Sequence, residues 1–230
     1  MNITWLGHAS FRIEIGDQVL LVDPWLVGNP AFPDASRAEA LAGATHILLT
    51  HGHGDHASEV VDIAQETGAP VCCCFELAEL WLGPEGVAAK GFGKGGTLQL
   101  GDVAVSMVHA RHSSSLDFLD DPPAAGSECG FVIRGEGRSI YVSGDTDVMS
   151  DMALIAERYA PDIGILCAGG HFTMDMAGAA FAARKFFDFK LVIPCHFQTF
   201  SLLEQSAEPL VKALSDVRVE VPEVMRPIQP

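Results

Sequence analysis

Apolar and polar positions at the start of the chain alternate with a period close to two. Ile3–Leu6, Ser10–Ile15 and Val19–Val22 carry this strand signature, with Gly16-Asp17 as the turn between the last two. The stretch from Asp23 to about Ala44, punctuated by Pro24, Gly28-Asn29-Pro30 and Pro33, reads as a loop. It leads into His46–Leu49, an apolar strand. Ser58 is placed to cap a helix reaching about Thr67, and Gly68 to stop it. A strand at Val71–Cys74, a helix near Phe75–Leu82, and strands near Thr97–Leu100 and Val103–Val108 complete this part.

The rhythm then repeats. Glu128–Arg134 and Ser139–Ser143 form a predicted hairpin around Gly135-Glu136-Gly137. A helix near Met149–Tyr159, a strand at Ile163–Cys167, a helix near Asp175–Phe187 and a strand at Leu191–Pro194 follow. A last helix, about Leu202–Leu214, precedes a proline-rich tail. Each half, about 1–110 and 111–230, begins as a meander and continues as alternating strand and helix, with a polar cluster just after a strand. No linker separates them. The expected architecture is one domain, a four-layer α/β/β/α sandwich with two sheets face to face.

Composition narrows the partners. With 48% hydrophobic residues, the 230-residue chain can bury a sizeable core. Its formal charge of −16 repels polyanions, which argues against a nucleic-acid partner. No segment approaches the ~20 apolar residues of a membrane span. The N-terminus, MNITWLGHASFRIEIG, lacks the basic region and apolar stretch of a signal peptide, so a cytoplasmic location is expected. Cys72-Cys73-Cys74 would alternate faces on a strand, which suits reduced, buried thiols better than a disulfide or a metal site. The composition also permits a homo-oligomer.

The chemistry concentrates after the His46–Leu49 strand, where LLTHGHGDHA packs His51, His53, Asp55 and His56 into six residues. A loop leaving a strand can turn several side chains toward one point. His51 and His53, two apart in extended chain, would point the same way, and Asp55 and His56 arrive after the turn. Gly52 and Gly54 are expected to supply backbone angles that bulkier residues resist. Imidazole nitrogens with a carboxylate suit zinc, and also iron or manganese.

The motif THGHGDH resembles the signature of the metallo-β-lactamase superfamily, and later motifs follow in order: Arg111-His112-Ser113-Ser114, Ser143-Gly144-Asp145-Thr146 and Ile193-Pro194-Cys195-His196-Phe197. WLGHASF, VDPWLVGNP, HSSS, GGHFTMD and IPCHFQTF resemble more narrowly a branch of metal-dependent hydrolases related to the ascorbate-6-phosphate lactonases. The resemblance implies the α/β/β/α sandwich and a centre of two divalent ions, commonly zinc. It implies one site of His51, His53 and His112, a second of Asp55, His56 and His196, and Asp145 bridging both.

Other polar positions divide by context. His109 and His112, three apart in extended chain, face opposite ways; His109 continues the alternating run Val103–Val105–Met107, whereas His112 lies where strand gives way to serine-rich loop and matches the motif. His8 is placed either to line the pocket, with a catalytic role, or to bond within the sandwich. His171, after Gly169-Gly170, is expected in the active site. Asp23 is read either as a carboxylate orienting a histidine or as a loop-structuring residue, and His46 as structural.

Two such dications share a hydroxide, because coordination lowers the pKa of water toward about 7, and that hydroxide attacks a carbonyl carbon or phosphorus. Asp55 is expected to orient it, and His171 or His8 to supply the leaving-group proton. The expected function is a hydrolase for an ester or lactone of a small polar molecule. The alternatives are a phosphodiesterase with the same centre and a non-catalytic metal-binding or sensing protein.

Overall fold

The computed structural model describes residues 1–230. Its first sheet opens with the antiparallel meander β1 (Asn2–Gly7), β2 (Ser10–Ile15) and β3 (Gln18–Val22), in which Ile3 lies opposite Ile13 and Phe11 opposite Val22. β4 (His46–Leu48), β5 (Val71–Cys74) and β6 (Ala89–Phe92) add in parallel. The second sheet runs through β7 (Thr97–Leu100), β8 (Val103–His109), β9 (Cys129–Gly135) and β10 (Arg138–Val142) as an antiparallel meander, then β11 (Ile163–Cys167), β12 (Leu191–Cys195) and β13 (Arg218–Val219) in parallel. β14 (Pro227–Ile228) returns to the first sheet and pairs with β1. Each sheet has seven strands. With the helices they form the α/β/β/α sandwich.

The strands that lie inside read as near-continuous apolar runs because both of their faces are covered: β5, β11 and β12 are buried at every position. The sheets meet through residues such as Phe92 of β6, stacked 6.2 Å from Phe131 of β9. One apolar core joins the two.

The helices depart from the sequence reading where local capping competes with pattern. The expected loop at 23–44 contains a 3₁₀ turn, Asp34–Ser36, running into α1 (Arg37–Leu41). Its leading segment is held by Glu59, which accepts from the amides of Leu26 (2.6 Å) and Val27 (2.7 Å). The helix expected from Ser58 to Thr67 is α3 (Val60–Thr67), and a short α2 (Gly54–Ala57) that was not expected precedes it. Ser58 is no N-cap; it ends α2, and its hydroxyl donates back to the Gly54 carbonyl. α3 stops at Gly68 in the left-handed conformation, as expected. α4 (Phe75–Leu77) widens at once into a π turn over Ala78–Leu82.

α5 (Asp151–Tyr159) and α6 (Met176–Phe186) lie within their predicted spans, and the Asp175 side chain caps α6 by accepting from the Gly178 amide at 2.6 Å. The last helix, α7, is only Glu208–Ala213, because Pro209 sets its start in the first turn. The proline-rich tail is not free: β14 and the Met225 amide, which donates to Trp5 O, tie it to β1.

Candidate metal centre

Loops leaving the C-terminal ends of β1, β3, β4, β8, β10 and β12 deliver His8, Asp23, His51, His112, Asp145 and His196 to one place between the sheets. Asp55 and His56 ride on α2. Three of these residues, His8 (φ 54°), Asp23 (φ 44°) and His196 (φ 61°), hold left-handed backbone angles that non-glycine residues seldom adopt. Such strain persists only where the surroundings over-determine it, and here it clusters at the site.

Gly52 and Gly54, by contrast, do not take left-handed angles, which corrects the reason expected for them. Space is what they supply. A Cβ on Gly52 would stand 2.6 Å from the Ala125 Cβ, and one on Gly54 would meet Asp117 and Phe118 at 3.3 and 3.4 Å. The motif's glycines thus let the loop around 113–125 press against the histidines.

The ligand-type atoms fall into adjoining groups. Those of His51, His53 and His112 all lie within 4.8 Å of one another, as do those of Asp55, His56, His196 and His8. Asp145 stands between them, its Oδ2 at 3.0 Å from His196 Nε2, 3.5 Å from His56 Nε2, 3.7 Å from His112 Nε2 and 4.0 Å from His51 Nε2. His109, at the end of β8, is exposed and faces Asp151 instead. His46 bonds Gln18 and Lys90 on the sheet, as expected of a structural residue.

Hydrogen bonds fix how the imidazoles face. Asp23 Oδ2 accepts from Thr50 Oγ1 (2.7 Å) and His56 Nδ1 (2.9 Å), while its Oδ1 accepts from the Thr50 amide (2.8 Å). Since Thr50 gives its only hydroxyl proton to this carboxylate, it can only accept from His51 Nδ1, at 2.9 Å. Both rings therefore donate from Nδ1 and turn Nε2 toward Asp145, the arrangement that prepares imidazole as a ligand. Asp23 thus orients a histidine directly and a second through Thr50. Thr50 was legible only as part of the THGHGDH string.

Of the two residues expected to act catalytically, His8 takes the second of its two expected placements, bonding within the sandwich, and His171 lies apart from the histidine groups. His8 is fully buried, with Nε2 donating to Asp55 Oδ2 (2.9 Å) and Nδ1 paired with Thr199 Oγ1 (2.9 Å). Both ring nitrogens are engaged, so its place is to hold Asp55 rather than to face the cleft. His171 is exposed, edge-on to Phe172 at 4.6 Å, and is outside the histidine groups. Of the glycines before it, Gly169 serves packing, since a Cβ there would collide with His196, and Gly170 takes a left-handed angle (φ 86°).

Electrostatics call for positive charge at this centre. Burial works against ionisation of Asp145, yet His196 and His56 outweigh it and hold the carboxyl well below its usual range. Asp55 is likewise lowered against burial, by His56 and His8. His56 is pushed down by burial but raised on balance by Asp145 and Asp55, whereas His51, buried beside His56, is lowered. Burial, with His196 alongside, lowers His8 to about 4. His56 Nε2, Asp145 Oδ1 and His196 Nδ1 are buried without a hydrogen-bond partner. Buried polar atoms of this kind are costly unless something pairs with them, and a divalent cation suits His56 Nε2, which lies 3.5 Å from Asp145 Oδ2 and 3.9 Å from Asp55 Oδ1 among the converging donors.

A family model described as a β-lactamase superfamily domain matches residues 2–196. The chain belongs to the metallo-β-lactamase superfamily. A UPF0173 metal-dependent hydrolase of Dinoroseobacter shibae is 60% identical over 229 residues, spanning 100% of both chains. One from Paracoccus denitrificans is 58% identical, spanning 99% of each. Among solved structures, Igni18, a metallo hydrolase from the hyperthermophilic archaeon Ignicoccus hospitalis, is similar with a TM-score of 0.87 and 27% identity, over 99% of this chain and 97% of that one. The protein is a metal-dependent hydrolase of this superfamily, and its His/Asp cluster is suited to metal.

The centre of this hydrolase opens to solvent through a cleft of about 590 Å³, lined by His53, Gly54, Asp55, His112, Ser113, Asp117, Phe118, Asp145, Phe172 and His196. Larger or better-enclosed hollows elsewhere carry none of the histidine groups. Asp117 accepts from the Gly54 amide at 2.7 Å, and Phe118 and Phe172 stand at the lip. Phe172 was legible only as part of the GGHFTMD string, and Asp117 and Phe118 had no signal in the sequence, because nothing in a polar loop marks which side chains fold back over a distant motif. No helix is long and apolar enough to cross a membrane.

Proposed function

We propose that the hydrolase cleaves a carboxylic ester or lactone of a small molecule at a centre of two divalent ions, zinc by preference with manganese or iron as alternatives. One would be held by His51, His53 and His112, the other by Asp55, His56 and His196, with Asp145 shared. The observation that carries this reading is the position of Asp145 Oδ2, within 4.0 Å of four imidazole nitrogens drawn from both groups. Ions bound there would supply a water of lowered pKa as nucleophile and would polarise the attacked carbonyl.

The chain's own residues prepare that chemistry. Asp23 and Thr50 hold His51 and His56 with Nε2 turned inward, and His8 holds Asp55 through its Oδ2. Asp55, His53 and His112 border the cleft, so a substrate reaches the centre from their side. The leaving oxygen lies toward solvent and takes its proton from water, since neither His8 nor His171 faces the cleft. A reducing compartment such as the cytoplasm is the setting we infer, supported by six cysteines that are all buried and unpaired.

The test is a metal-reconstituted screen of lactones, thioesters and phosphodiesters, with metal content measured by mass spectrometry and His53→Ala as control. Two ions per chain and hydrolysis of lactones or esters, abolished by chelator and restored by zinc or manganese, are expected. Activity unchanged after verified metal stripping would sink the mechanism. Phosphodiester cleavage without ester cleavage would replace the substrate class.

A further inference from the structure

The cleft above the centre has an unusual charge for a site that must recognise small polar molecules. None of its ten lining residues is Lys or Arg; of its three aspartates, Asp55 and Asp145 belong to the metal centre, and Asp117 adds an acidic group outside it. Anionic groups are ordinarily recognised by guanidinium forks or ammonium groups. The basic residue adjacent in sequence to the histidines, Arg111, is exposed and is absent from the lining. The opening amide of α2, Gly54 N–H, is already taken by the Asp117 carboxylate. An acidic side chain thus stands at the lip of a cleft with no basic side chain in its lining, in a chain of formal charge −16.

The same lip is aromatic. Phe118 is 36% exposed and Phe172 52% exposed, and both line the cleft from separate loops. Phe118 is steadied from behind by Trp81, whose ring meets it edge-on at 5.8 Å. Two exposed phenyl rings beside a polar centre have a ready use as a seat for an apolar part of a ligand.

We propose that the cleft selects substrates carrying no negative charge away from the scissile bond, with an apolar or aryl portion seated on Phe118 and Phe172. This rests on the ester or lactone reading above and narrows it, turning away from phosphorylated lactones toward uncharged ones. Cationic substrates are tolerated, because Asp117 and the chain's net charge favour them.

The test compares three aryl acetates on zinc-loaded full-length protein, differing only in the para substituent: methyl ester, carboxylate and trimethylammonium. After correction for their hydroxide-catalysed rates, kcat/KM for the neutral ester is expected to exceed that of the carboxylate by about tenfold or more, with the cationic ester close to the neutral one. Asp117→Asn, which keeps an acceptor for the Gly54 amide, and Phe172→Lys, at an exposed position, are each expected to narrow the gap about threefold or more.

Calorimetric titration with the three corresponding phenols gives a readout that does not depend on turnover, and the same order of affinity is expected. A carboxylate ester turned over as fast as the neutral one, or a carboxylate phenol bound as tightly, overturns the proposal. If no ester is cleaved, the ester reading fails, and the calorimetric order alone decides the charge preference.

Discussion

The two halves of the centre are built to different standards. His56 and His196 are buried and their neighbour Asp55, which borders the cleft, is clamped by His8, so that group is braced from behind. In the other group only His51 is buried; His53 and His112 border the cleft, and the nearest support for His53 Nε2 is Ser113 Oγ at 3.4 Å. The difference teaches that, with the two ions proposed above, Asp145 would join a braced half to a more accessible one, and substrate and exchanging ions would meet less resistance on the side of His53 and His112.

Asp145→Ala removes the group common to both halves and should have the largest effect, about 10³-fold or more in kcat, with metal content falling below two ions per chain by mass spectrometry. Next, His56→Ala and His53→Ala should part company in thermal melts of metal-stripped protein. Loss of His56 leaves Asp23 and Asp145 buried without their partner, a destabilisation of about 3–5 kcal/mol, whereas loss of His53 should hardly move Tm. Equal shifts would dissolve the contrast between the halves.

Asp23→Ala acts one step back, on the orientation of His51 and His56. A loss of about 10–100-fold in metal affinity, measured by competition with a chromophoric chelator, is expected. The smallest effect belongs to Thr199→Val, which strips a hydrogen bond of about 1 kcal/mol from His8 Nδ1 and should lower kcat only a few-fold with metal content intact. A complete loss of activity there would mean that His8 does more than steady Asp55.

The regular parts of the fold were open to a reader of the sequence because burial on both faces writes itself as unbroken apolar runs, as in Ile163–Cys167 and Leu191–Cys195. Short elements were not. β13 and β14 have two residues each, too few for any period, and α2 is four residues inside a motif that looks like a turn. At the centre, histidines and Asp145 were legible because their types and order are specific. The supporting bonds were less so: Thr199 reaches His8 across 191 positions, and Asp117 reaches Gly54 across 63, distances at which only the folded topology makes neighbours. His171 lies apart from the histidine groups, and of the two glycines before it Gly169 makes room for His196 while Gly170 takes a left-handed angle.

The division of the centre between the two sheets has a thermodynamic meaning. His51, His53, Asp55 and His56 follow strands of the first sheet, and His112, Asp145 and His196 follow strands of the second. Neither of the ligand sets proposed above comes from one sheet alone, so ion binding at them and the docking of one sheet on the other would be linked equilibria, each tightening the other by the same free energy. The metal would then be a rivet across the sandwich as well as a reagent, and free ion concentration a dial on how firmly the two sheets stay closed.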